Sequence, residues 1–263
     1  MRYVDTHTHL YDEAFSDAEA DAAVKAAVEA GVDRMILPDI DSRERGRMEA
    51  LAARHPGTLY VMAGLYPGSV DDNWQEEVSR VEKRLEDARD GLAPRIVAVG
   101  EIGLDYHYSK DTAPLQREAF RAQMELAARF HLPVDIHMRD ATEDFFRILD
   151  DTRHLGLRGC LHAFSGSAET WRRLSRYGDW RTGIGGVVTF KNAHVADALE
   201  AIPLESMLLE TDAPYLTPVP WRGRRNESKY IPVIADFIAR RKGLPVETVA
   251  EVTTAGAECF FDL

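Results

Sequence analysis

The chain has 263 residues, 45% of them apolar and 29% charged, with 32 basic against 44 acidic side chains and a formal net charge of −12. That composition excludes fibrous, collagen-like and mainly disordered classes, and the length supports a large core without disulfide or metal staples. An acidic chain is a poor passive binder of nucleic acid, so any phosphate-handling site must bring local cations or metal ions.

Short apolar runs alternate with amphipathic stretches along the whole chain. The first run, 3–9 (YVDTHTH), reads as a strand. Ser16 with Glu19 forms a capping-box signature that opens a helix over 17–30, closed by Gly31. A strand at 34–38 (RMILP), a helix near 42–54, a strand at 59–65 (LYVMAGL) and a helix near 73–90 follow. The strand at 95–101 (RIVAVGE) leads to a helix over 113–130, where Leu115, Ala119, Ala122, Leu126 and Phe130 line one face. Next come a strand at 133–137 (PVDIH), a helix opened by Asp140 with Glu143, and a strand at 159–162 (GCLH). A helix near 168–177, a strand at 181–185 (RTGIG), a helix near 192–201 and a strand at 206–211 (SMLLET) continue the alternation. A helix near 227–242 stops at Gly243, and a last one follows Pro245. The strand runs are rich in Val, Ile and Leu, as strands buried on both faces are.

Eight strands alternating with eight helices predict an α/β chain, a single (β/α)8 TIM barrel over residues 1–263 with an additional C-terminal helix. A doubly wound open sheet is the alternative. It announces itself with a Gly-rich phosphate turn after strand 1, where this chain has HTHL. No apolar run approaches the length of about 18 residues that a membrane span needs. The opening MRYVDTHTHL lacks the apolar core of a secretory signal. With only two cysteines, Cys160 and Cys259, a disulfide framework is not expected, and a cytoplasmic monomer is.

His7 and His9 sit two apart at the end of strand 1, and period-2 alternation puts them on one face. Alone, such a pair reads equally as hydrogen-bonded or surface histidines. The other strand ends change that. Strand 4 ends in Glu101, strand 5 in His137, strand 6 in His162, and strand 8 runs into Asp212. These six N and O donors share the C-terminal rim, where barrel chemistry sits. His55, His131, His154 and His194 fall in helices or turns and read as solvated or hydrogen-bonded. Four imidazoles, two carboxylates and no thiolate suit two divalent cations of the Mg, Mn, Zn or Fe type. Two ions about 3.5–4 Å apart need a bridging oxygen, and Glu101 is the strand-end carboxylate at the middle of the barrel order.

With DTHTHL at 5–10, GEIGLDYH at 100–107, LQREAF at 115–120, IHMRDA at 136–141, LHAFSGS at 161–167, ETDAPYLTP at 210–218 and RGRRNE at 222–227, the chain resembles the TatD family of metal-dependent hydrolases, within the amidohydrolase-like barrels. The resemblance implies a (β/α)8 barrel with a binuclear centre. It places His7, His9, Glu101 and Asp212 on one metal ion, with Glu101 bridging to a second held also by His137 and His162. It further implies phosphodiester hydrolysis of the deoxyribonuclease or 3′–5′ exonuclease type, with DNA favoured over RNA as the nucleic acid substrate. The pattern departs from the family's at Tyr66 and Gly256, where a His and an Asn are frequent; neither is an expected ligand.

Two cations lower the pKa of a bound water from about 15.7 towards neutral. Asp212 is expected to take that water's proton as general base as well as bind metal, and ligation alone is the plainer reading. Arg139, Lys191, Arg222, Arg224 and Arg225 follow strand ends on the same rim and are candidates for phosphate, whereas Lys229 reads as solvated. Tyr215, Tyr106 and Trp221 are candidate stacking faces for a base. Asp5, Asp135 and Glu210 are candidates for orienting imidazoles, and Asp105 and His107 for touching substrate. The competing readings are a metal-dependent hydrolase of a small ester, lactone or amide, and a non-catalytic metal-binding scaffold.

Overall fold

The computed structural model describes residues 1–263. Eight strands form one parallel sheet in chain order: β1 (Tyr3–Asp5), β2 (Val32–Leu37), β3 (Leu59–Ala63), β4 (Ile96–Asp105), β5 (Val134–Arg139), β6 (Gly159–Leu161), β7 (Trp180–Ile184) and β8 (Met207–Leu209). Each is followed by a helix: α1 (Asp17–Glu29), α2 (Arg45–Arg54), α3 (Trp74–Arg89), α4 (Ala113–Phe130), α5 (Thr142–Asp151), α6 (Ala168–Leu174), α7 (Val195–Ala198) and α8 (Ile231–Lys242), with α9 (Val246–Phe261) added. Beyond β1 the Thr6 N–H donates to the Leu209 carbonyl at 2.9 Å, which brings the last strand back to the first. The result is a (β/α)8 TIM barrel with a ninth helix. All ten residues of β4 are buried, as expected for a parallel strand with barrel interior on one side and helices on the other.

Val4, Ile36, Met62, Val97, Ala98, Cys160 and Leu208 fill the barrel interior, and Ala257, Phe260 and Phe261 of α9 pack against them. That helix therefore seals the N-terminal mouth. It is pinned there by Glu258 to Arg34 at 2.8 Å and by the Thr254 hydroxyl, which donates to the Arg2 carbonyl at 2.9 Å. Only the C-terminal mouth is left open to chemistry. No helix is long and apolar enough to cross a membrane.

Local signals were obeyed where nothing distant competed. Ser16 and Glu19 form the expected capping box of α1, and α4 spans the expected residues. Three expectations need correction. The helix near 192–201 shrinks to Val195–Ala198, flanked by turns. Asn192 and His194 are poor helix formers, and Pro203 disfavours helical backbone just before it. Asp140 does not cap α5: it lies at φ 55, and its carboxylate takes the His107 Nδ1 at 2.8 Å instead. The run 3–9 is strand only to Asp5, whose carboxylate accepts from the Thr211 N–H at 2.9 Å and its hydroxyl at 2.5 Å.

Gly103 shows how tightly β4 meets β5. Its φ is 135, and a Cβ there would fall 2.0 Å from the His137 carbonyl oxygen. Gly103→Ala must push back the strand that carries His137, an overpacking cost of about 3 kcal/mol. A melt followed by circular dichroism should fall by several degrees; an unchanged midpoint would show that the two strands yield freely.

Candidate metal centre

Six side chains converge at the open mouth. His7 and His9 leave the end of β1, Glu101 projects from β4, His137 from β5, His162 follows β6, and Asp212 follows β8. His7 and His9 are not strand residues. Their convergence comes from backbone anchors: the Thr8 N–H on the Ile36 carbonyl at 3.1 Å and the His9 N–H on the Ala213 carbonyl at 2.7 Å.

The donor atoms form two groups that share Glu101. In the first, His7 Nε2 lies 3.1 Å from His9 Nε2, 3.4 Å from Glu101 Oε2 and 3.8 Å from Asp212 Oδ1. His9 Nε2 lies 3.6 Å from Glu101 Oε2 and 3.3 Å from Asp212 Oδ1. In the second, Glu101 Oε1 lies 2.9 Å from His137 Nδ1 and 3.0 Å from His162 Nε2, which are themselves 3.2 Å apart. A tetrahedron with bonds of about 2.1 Å to a central ion has edges of about 3.4 Å, so both groups have the size of a metal cage.

The partners behind the rings argue the same way. His7 Nδ1 meets Asp135 Oδ2 at 2.7 Å, and His137 Nε2 meets Asp105 Oδ2 at 2.9 Å. His9 Nδ1 meets the Tyr11 hydroxyl at 3.2 Å, whose own proton goes to the Pro38 carbonyl at 2.5 Å. These three rings thus donate from their far nitrogens, and in the neutral form they turn lone pairs towards the shared interior of the site. A cation resolves that repulsion, and carboxylate or hydroxyl partners of this sort fix the tautomer that binds metal. The donor set fits divalent metal.

The electrostatics are those of a site built for positive charge. Burial alone pushes Glu101 up, but His162, His137 and His7 outweigh it and hold the carboxyl well below 4.5. Burial likewise opposes ionisation of Asp212, and the His9 contact overrides it, keeping a carboxylate. Burial would lower His137, but Asp105 and Glu101 raise it to about 9. His7 is depressed by burial and raised well above 6.5 by Asp135 and Glu101, whereas burial and the neighbouring His7 lower His162.

Around the rim, Arg139, Lys191 and Arg224 are exposed, and Arg139 lies over the Tyr108 ring at 5.3 Å. Arg225 is not a free cation: it donates to the Ala14 carbonyl at 2.7 Å and to Glu19 Oε1 at 3.0 Å, and it covers Phe15. Lys229 pairs with Glu227 at 2.7 Å, and Arg222 covers the Phe190 ring. Tyr215 is 53% exposed with its ring 6.3 Å from that of His9, whereas Tyr106 is buried and bonded to Asp144. Trp221 stacks on Tyr230.

Of the three acids expected behind the rings, Asp135 bonds an imidazole. Asp5 instead ties the end of β1 to Thr211, and Glu210 Oε1 stands 3.8 Å from His162 Nδ1. Sequence reading missed Tyr11 and gave Asp105 to substrate. The signal for Asp105 was present: it lies four residues beyond Glu101 on β4, hence on the same face of the strand. Tyr66 joins it, donating to Asp105 Oδ2 at 3.3 Å.

The family of TatD-related DNases matches residues 4–262. The chain is 34% identical over 258 residues to the uncharacterized metal-dependent hydrolase YabD of Bacillus subtilis, covering 98% of both. It is 34% identical over 241 residues to the 3′–5′ ssDNA/RNA exonuclease TatD of Salmonella typhimurium, covering 88% of both. Among solved structures, the TatD homologue YjjV of Escherichia coli aligns with a TM-score of 0.90 and 28% identity, over 100% of this chain and 98% of that one.

Proposed function

The chain belongs to the TatD-related DNase family of metal-dependent hydrolases, and on that premise we propose that it cleaves phosphodiesters at a two-metal site, as a monomer, removing nucleotides from the 3′ end of single-stranded DNA. The observation that carries this reading is the pair of cage-sized donor groups sharing Glu101. Held by His7, His9 and Asp212 on one side of Glu101 and by His137 and His162 on the other, divalent ions would supply Lewis-acid polarisation of a phosphoryl oxygen and acidity to a bound water.

The chain's own residues supply the rest. Glu101 gives one carboxylate oxygen to each group, so it fixes the spacing between them. Asp212 retains 14% side-chain exposure and is held ionised, so it is placed to accept a proton from water at the mouth. Arg139, Lys191 and Arg224 take backbone phosphates, and Arg225 anchors the loop that carries Arg224 against α1. The Tyr215 face offers a base a stacking surface beside His9. A free single strand fits an acidic protein with only a few exposed cations at this rim, Arg139, Lys191 and Arg224, because only a short stretch of phosphates needs neutralising.

The test is a panel of single-stranded DNA, duplex DNA, RNA and p-nitrophenyl esters, each with Mg²⁺, Mn²⁺, Zn²⁺ and Fe²⁺. Stepwise loss of nucleotides from the 3′ end of single-stranded DNA is expected to be the fastest reaction. Ester turnover with every nucleic acid left intact would transfer the protein to the small-molecule hydrolases.

Metal binding should also depend on pH in a set direction. Since His137 is raised to about 9 and His7 is raised as well, an entering ion must displace protons from both. The proton wins at low pH, so apparent Mn²⁺ affinity climbs from about pH 6 to about pH 8, by about tenfold per unit for each proton displaced. Calorimetric titrations at several pH values read this directly; a flat affinity would show that the rings enter the reaction already neutral.

A further inference from the structure

Three of the four imidazoles have their far nitrogen engaged, by Asp135, Tyr11 and Asp105. His162 does not: its Nδ1 is buried without a hydrogen-bond partner. Below it lies Glu210, with 0% exposure. One oxygen, Oε1, accepts from the Ala163 N–H at 2.5 Å and stands 3.8 Å from His162 Nδ1. The other, Oε2, has no partner.

An acid and an imidazole nitrogen, both buried, both with unused capacity and facing one another, are costly to leave unjoined. The fold makes room for this acid at some expense. A Cβ at Gly183 on β7 would fall 1.8 Å from Glu210 Oε2, so only glycine permits the carboxylate its seat. The Ala163 amide that Glu210 receives belongs to a residue at φ 44, an uncommon backbone state for alanine, so this bond also steadies the chain next to His162.

We propose that Glu210 is a positioning residue for His162, accepting a hydrogen bond from its Nδ1–H and so holding the ring in the tautomer whose Nε2 lone pair faces Glu101 and His137. Glu210 completes the set of partners that the other three rings already have, and a small rotation of either side chain closes the gap. The inference rests on the two-metal reading and assigns Glu210 to one half of the centre only, the group of His137 and His162.

The protein, stripped of metal and titrated with Mn²⁺, is expected to show two binding steps. The step that His137→Ala removes should weaken by about 10–100-fold in Glu210→Gln, with the other step unchanged. Independently of any variant, ¹⁵N–¹H correlation spectra of the Zn²⁺-loaded wild type should show a proton on His162 Nδ1. Wild-type affinities for both steps in Glu210→Gln, or an unprotonated Nδ1 in the loaded wild type, would overturn the assignment. A wild-type protein with fewer than two steps would overturn it through the two-metal reading itself.

Discussion

Glu101→Ala is expected to reduce turnover of single-stranded DNA by at least about 10³-fold while leaving a folded barrel. The carboxylate is the shared edge of the two donor groups, 3.4 Å from His7 and 3.6 Å from His9 with one oxygen, 2.9 Å from His137 and 3.0 Å from His162 with the other. No other side chain touches both groups this way, so its loss removes a donor from each and the link that sets their separation. Metal ions supply several kcal/mol of transition-state charge stabilisation, and each 1.36 kcal/mol is about tenfold in rate. Removing a buried acid from four imidazoles also costs stability, of the order of 3–5 kcal/mol for a broken buried pair. Glu101→Gln separates the two effects. It keeps the volume but offers one oxygen and an amide, so it should melt closer to wild type and still turn over poorly. The check is kcat at saturating Mn²⁺ beside a circular dichroism melt; a wild-type rate in Glu101→Ala would discard the bridging role.

The barrel was legible because its signals are local. Runs such as RIVAVGE and LYVMAGL have continuously apolar centres, as parallel strands buried on both faces do. The six donors were legible because barrel strands deliver their ends to one rim, so that residues from 7 to 212 in the sequence become neighbours. His7 and His9 were found by an argument about strand alternation, although the strand stops at Asp5 and tertiary backbone bonds aim them. What stayed hidden was settled by competition over long sequence separations. Asp140 had a helix to cap and went to His107, 33 residues away. Arg225 looked like a phosphate cation and is held by Glu19, 206 residues away. Tyr11 carries no pattern at all: it becomes the partner of His9 because its hydroxyl is fixed by the Pro38 carbonyl.

Chelation should abolish hydrolysis, and Mn²⁺ or Mg²⁺ should restore it, with stability moving in step. The reason lies in the same contacts that make the centre fit a cation. His7 Nε2 and His9 Nε2 stand 3.1 Å apart with their far nitrogens already donating, so once His7 gives up the proton it holds in the empty site the two rings repel unless an ion lies between them. With the ion present, repulsion becomes coordination, and the folded chain gains what the unfolded chain cannot. An ion at one hundred times its dissociation constant adds about 2.7 kcal/mol per site. At roughly 2–4 °C per kcal/mol for a chain of this size, each site raises the melting midpoint by several degrees. EDTA-treated protein should therefore melt earlier, and the midpoint should climb with added Mn²⁺ in parallel with the recovered rate. The parallel is the discriminating feature. A chelator that merely scavenged an ion needed by the DNA would change the rate and leave the protein's midpoint where it was. Full activity after exhaustive chelation would remove the metal from the chemistry altogether, because the chain's cations at the mouth are a few rim side chains, and Asp212 alone has nothing to offset the charge that builds on a phosphoryl oxygen.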